Sequence, residues 1–159
     1  MAEKKSINLV ISNNQYSEKL IPSGQTYKRV LILEDNIEVT TEGFLYKGKS
    51  MYITYDEVAD GGLENTKTIV KLEGEDKLQI RRYGKDDGAG MMDMRLEEGV
   101  LNITRYVIPT GNLEMEIYTN KIENSLDEDG FGKISADYKI KMEPYVNLRN
   151  KLEIEVKPC

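Results

Sequence analysis

Histidine and tryptophan are both missing from this chain, and cysteine occurs once, as Cys159. Without histidine there is no imidazole base for a nucleophile triad, and most zinc and iron sites lose their usual nitrogen ligand. One cysteine closes no internal disulfide, and a lone thiol beside Pro158 reads as a solvent-exposed end rather than a nucleophile. A chain without disulfides fits a reducing compartment, so a cytoplasmic protein is expected. Long apolar runs are lacking too. The run from Ile7 to Ile11 near the start is short and contains Asn8. It does not make a signal-peptide core, and no stretch approaches the roughly 18 apolar residues of a membrane helix. Basic excess is absent as well. The formal net charge is -6, and the densest basic spots, Lys4-Lys5 and Arg81-Arg82, form no stripe. Nucleic acid and membrane partners are therefore not expected. No enzyme activity, cofactor or metal is expected either.

What is present is alternation. From Lys133 to Glu143, Ile134, Ala136, Tyr138, Ile140 and Met142 fall on one side and charged or polar residues on the other. That is the period of a strand with one wet face. Residues 36 to 46 put Ile37, Val39, Thr41, Gly43 and Leu45 on one face, and residues 50 to 58 follow with Met51, Ile53 and Tyr55. Residues 66 to 74 and 76 to 83 read as a hairpin around Gly74, and residues 91 to 99 and 100 to 109 as another around Gly99. Residues 59 to 66 and 84 to 90 read as loops, and residues 148 to 157 as the closing strand. Residues 6 to 12 read as a first strand. Residues 13 to 33, with a Pro-Ser-Gly turn signal at 22 to 24, are expected to be irregular or an extra hairpin.

The segment "LDEDGFGKISADY" (126 to 138) imitates a calcium-binding loop, with Asp127, Asp129 and Gly132 in suitable places. An EF-hand needs oxygen ligands at its fifth and twelfth places and a helix on each side. Here those places hold Phe131 and Tyr138, and both flanks alternate as strands. The segment is expected to connect a hairpin, with glycines supplying permissive backbone and the acidic residues solvated.

Consecutive amphipathic strands joined by short turns favour an up-and-down meander, and a meander of this length must close or stack. The expectation is one all-β domain over residues 1–159, an up-and-down antiparallel β-barrel of about eight to ten strands. A β-sandwich is the alternative. "TTEGFLY", "YITYDE", "TKTIVKLEG", "RYVIPTGNLEMEIYT" and "LDEDGFGKISADYKI", in that order, resemble the bacterial YwiB-like family. The resemblance implies a calycin-like (lipocalin-like) barrel and no assigned activity. Secreted lipocalins carry a Gly-x-Trp signature that this chain lacks, so a ligand expectation drawn from them is fold-level analogy.

Some positions in phase with the apolar face are polar. Arg82 follows Leu78 and Ile80, Arg105 sits between Ile103 and Val107, Tyr55 and Glu57 follow Ile53, and Tyr138 lies among Ile134, Ala136 and Ile140. An arginine held inside a barrel is well shaped to grip a carboxylate or phosphate. Arg82 or Arg105 would then hold the head of an anionic amphiphile, with Tyr55 or Tyr138 donating hydrogen bonds. The plainer alternative has both arginines reaching water near strand ends, or Arg105 bridging to Glu57 or Glu42. Arg81 and Tyr83 fall on the outward phase. Two functions compete: a carrier of a small hydrophobic or anionic amphiphilic ligand, and a protein-interaction or structural module with a filled core. The small residues Thr41, Gly43, Thr66 and Thr68 lean towards a void.

Overall fold

The computed structural model describes residues 3–56, 67–83, 92–108, 111–142 and 146–159. These form ten strands: β1 (Glu3–Ser23), β2 (Thr26–Lys47), β3 (Met51–Asp56), β4 (Lys67–Leu72), β5 (Lys77–Tyr83), β6 (Met92–Glu97), β7 (Leu101–Ile108), β8 (Gly111–Asn124), β9 (Gly132–Met142) and β10 (Val146–Pro158). No helix occurs among the described residues. The segments 59 to 66 and 84 to 90, together with Glu57, lie outside them.

All ten strands belong to one sheet, in the order β6-β5-β4-β3-β2-β1-β10-β9-β8-β7. Each neighbour pair is antiparallel, as short connections demand. The first and last strands meet in the middle of the sheet, from Ile7 opposite Pro158 to Tyr16 opposite Arg149. The break in the meander comes at Gly99. The sequence suggests a hairpin there; instead, among the described residues, β6 pairs with β5 and β7 with β8. Gly99, at φ 78°, and the Val100 amide bonded to Glu97 O at 3.0 Å turn a corner from one sheet edge to the other. The two edges touch without a ladder. A parallel bridge joins Glu98 to Thr119, with the Gly99 amide donating to Thr119 O at 2.8 Å. The Glu98 carboxylate accepts from the Ile122 amide at 3.3 Å across the same seam. The sheet thus curls round on itself without being closed by strand pairing.

Residues 13 to 33 are an extra hairpin. The β1 and β2 strands stay paired out to Ser23 opposite Thr26, around a turn with Gly24 at φ 64°. The register slips once, at Gln15/Tyr16, where Glu34 is passed over between Asp35 and Leu33. Among the described residues, no strand other than β2 pairs with β1 beyond Tyr16, and β3 pairs with β2 from Gly43 to Lys47. The far half of this hairpin is an arm that projects from the sheet.

The core follows from the inward phase of each strand. Leu45, Ile53, Val70, Ile80 and Met94 form one cross-strand row, each at most 5% exposed. Ile7 and Leu9 of β1, Met115 and Ile117 of β8, Ile134 of β9 and Ile154 and Val156 of β10 pack against it. Burying each such side chain contributes about 1.5–3 kcal/mol. Gly130 in the β8–β9 connection, at φ 91°, lies against the Leu45 side chain so closely that a Cβ would overlap it. That connection is the calcium-like segment. Its Asp127 carboxylate accepts from the amides of Asp129 (2.9 Å) and Phe131 (3.0 Å), as a turn former does. Lys47 donates to the Glu128 carbonyl and ties the same turn to β2.

Candidate functional site

The next inward row above the Leu45–Met94 layer is polar. Register places Gly43, Tyr55, Thr68 and Arg82 side by side across β2, β3, β4 and β5. Gly43 must be small, because a Cβ there would run into the Thr54 carbonyl and come within 3.0 Å of Leu9 Cδ1. Thr68 is fully buried, Tyr55 is half-buried against the core, and the Nε of Arg82 is buried. Tyr138 of β9 reaches the same region from the opposite side of the sheet, and it is 4% exposed. Burial pushes its phenol up to about 12, against the pull of the Arg82 charge and with Tyr55 pushing the same way as burial. Those two influences mean that Arg82, Tyr55 and Tyr138 share one electrostatic environment.

The strands flanking β9 extend the polar set. Tyr138 is opposite Thr119 on β8 and Asn150 on β10. Thr119 is fully buried, and its hydroxyl finds no hydrogen-bond partner among the described residues. Asn150, 1% exposed, accepts from the Asn13 amide nitrogen at 3.3 Å. A guanidinium, two phenols, two hydroxyls and an amide therefore converge at one end of the sheet's interior. Cation and donors in that arrangement suit a carboxylate or another small oxyanion.

Of the residues expected from the sequence, Arg82, Tyr55 and Tyr138 are brought together. Arg105 is not. Met115 and Ile117 of β8 point inward, and they are opposite Thr104 and Asn102 on β7, so Arg105 falls on the outer side, exposed and opposite Glu114. Ile103, in phase with Arg105, is 59% exposed. The expected inward position of Arg105 is thus corrected by the partner strand. Glu42 is exposed, and Glu57 lies outside the described residues. Thr119 and Asn150 escape a reading of strand phase alone. The β8 ladder slips between Thr119 and Lys121, which hides the alternation that would have marked Thr119.

The outer face has a groove of its own, about 400 Å³, that the sequence did not suggest. Tyr46, Tyr52, Lys71 and Gln79 form a cross-strand row along it, joined by Arg81 and Tyr83. Lys71 binds Glu73 at 3.0 Å, and Arg81 lies 3.4 Å from the Tyr83 hydroxyl and 3.7 Å from Asp93. The outward phase of Arg81 and Tyr83 read from the sequence agrees with this. No group of three or more acidic, cysteine or histidine side chains suited to a metal ion occurs among the described residues.

One all-β sheet of consecutive strands, rolled until its edges touch, defines a protein of the β-barrel class. Within that class the chain belongs to the family described as "Domain of unknown function (DUF1934)", whose model matches residues 26–154. It is 35% identical over 113 residues to the uncharacterized beta-barrel protein YwiB of Bacillus subtilis (strain 168), covering 67% of this chain and 74% of that one. The crystal structure of the ywiB protein from Bacillus subtilis superposes with a TM-score of 0.63 at 23% identity, over 97% of this chain and 93% of that chain. The family resemblance read from the sequence and the all-β class are both supported by these matches.

Proposed function

We propose that this protein is a non-catalytic binding protein of the calycin-like type. Its ligand is a small anion or a short anionic amphiphile taken at the polar end of the barrel interior. Arg82 supplies the charge, and the Tyr55 and Tyr138 hydroxyls donate hydrogen bonds. The observation that carries this reading is the convergence of Arg82, Tyr55 and Tyr138 on one interior site. The open hydroxyl of Thr119 beside Tyr138 adds a further polar group there. The packed row from Leu45 to Met94 fills the space beneath, so the bound molecule is short and does not thread a long tail through the sheet. Cytoplasmic residence, on the strength of the single cysteine, is part of the same reading. Nucleic acid and catalysis lie outside it, on the net charge of -6 and the missing imidazole.

Native mass spectrometry of gently purified protein tests it, with identification of whatever is released on denaturation. The expected result is a stoichiometric small anionic molecule whose occupancy falls in Arg82→Ala and holds in Arg105→Ala. A clean apo mass, unchanged after incubation with a panel of acyl and other anionic amphiphiles, overturns it. Weight then passes to the second reading, a protein-interaction or structural module, which the interlocked apolar core favours.

A further inference from the structure

The arm formed by the ends of β1 and β2 extends beyond the strand ladder of the sheet, and Glu18 reaches back from it to Lys139 of β9 at 2.9 Å. A two-stranded ribbon alone is marginal in water, and this one carries apolar side chains in the open. Leu20 is 65% exposed, Tyr27 68% and Leu33 53%. Register sets them on one face: Leu20 is opposite Arg29, Tyr27 opposite Pro22, and Leu33 opposite Tyr16. Glu18 and Arg29 interrupt that face, 4.0 Å apart, with Glu18 also bound to Lys139 of β9 at 2.9 Å. An exposed apolar ribbon with an open edge is a surface that natural proteins cover. Among the described residues, the open edge of β2 runs from Thr26 to Glu42.

The charge along that edge says what covers it. Residues 26 to 33 contain Lys28 and Arg29 and no acid; residues 34 to 42 contain Glu34, Asp35, Glu38 and Glu42 and no base. A strand with a basic first half and an acidic second half is complementary to itself when antiparallel. Around a twofold axis, the basic half of each copy faces the acidic half of the other, and the same patch serves on both sides. A neutral or uniformly charged edge would make no such choice.

We propose that two copies of this chain associate through their arms. The β2 edges run antiparallel about a twofold axis and join the two arms into one four-stranded ribbon, on which the apolar faces around Leu20, Tyr27 and Leu33 become contiguous. This inference is independent of any ligand in the barrel. Like charges placed opposite one another are destabilising, so reversing the charge of one half breaks the dimer and reversing both halves in separate copies restores it.

The test is light scattering coupled to size exclusion on the full chain at micromolar concentration. The wild type is expected to run at twice the chain mass. Lys28→Glu/Arg29→Glu and Glu34→Lys/Glu38→Lys are each expected to run at the single-chain mass. Their mixture is expected to return to twice that mass as a heterodimer. Circular dichroism and urea melts of both variants keep loss of folding separate from loss of association, since the altered side chains are exposed. A wild type that stays monomeric overturns the proposal. So does a dimer that both reversals leave intact, or a mixture of the two variants that remains monomeric while both are folded.

Discussion

Arg149 grips Asp137 with two hydrogen bonds on the outside of the sheet: Nε to one carboxylate oxygen at 2.8 Å, Nη2 to the other at 2.7 Å. The strands β9 and β10 hold them on a diagonal: Asp137 is directly opposite Lys151, two residues along β10 from Arg149 on the same face. This contact is the largest reason that the Asp137 carboxyl lies below its usual value, with partial burial acting against it and the Asn120 amide helping. A carboxylate with a lowered folded value stabilises the fold above its unfolded value, about pH 4, and that contribution fades as the pH falls through the folded value. Asp137→Asn should therefore lower stability by about 1 kcal/mol at neutral pH, and by much less at about pH 2. Urea midpoints of both proteins at the two pH values measure this. Equal gaps at both would show that the pair contributes through shape, not charge.

Tyr138 behaves in the opposite direction. Its folded value is raised above that of an unfolded tyrosine, so its contribution is complete below about pH 10 and is lost as the pH climbs towards about 12. An alkaline ultraviolet titration should show one tyrosine ionising late, and Tyr138→Phe should remove that late step. A wild-type titration without it would contradict the burial of this phenol.

Position on the sheet should separate two isoleucines of equal size. Ile53 is fully buried, and Ile53→Ala should destabilise by about 2–5 kcal/mol. Ile103 is 59% exposed on β7, and Ile103→Ala should stay within about 0.5 kcal/mol. A large effect at Ile103 would mean that β7 presents its other face to the core, and Arg105 with it.

Gly130→Ala should cost about 2–4 kcal/mol, because a left-handed backbone and contact with Leu45 penalise the methyl together. Pairing it with Leu45→Ala should reduce the loss below the sum of the two single changes, since the space is shared. Chemical denaturation of the three variants decides it.

Much of the fold could be read from residue order because most strands have one wet and one dry face. Ile134, Ala136 and Tyr138 alternate with Lys133, Ser135 and Asp137, and β9 follows from that. Residues 13 to 33 resisted because the arm is only partly covered, so apolar and charged side chains occur on both faces. Gly99 misled for a different reason: the local turn is real, yet pairing partners for β6 and β7 are chosen by strands distant in sequence. The same distance dependence moved Arg105 to the outside. Tyr55, Arg82 and Tyr138 were legible as inward polar positions, but their convergence needed the sheet to curl and bring β9 across from β3 and β5.

The central seam between β1 and β10 also sets a clock. Asn8 and Pro158, bonded side chain to backbone, are 150 positions apart in the chain. At about 5–20 residues per second, about 8–30 s of synthesis separate the two strands. Until β10 leaves the ribosome, β1 has β2 on one side and an open edge on the other. Ile7 and Leu9 spend that interval as an adhesive strip. Nascent chains stalled before residue 146 should leave that strip open to proteolysis, and completed chains should not.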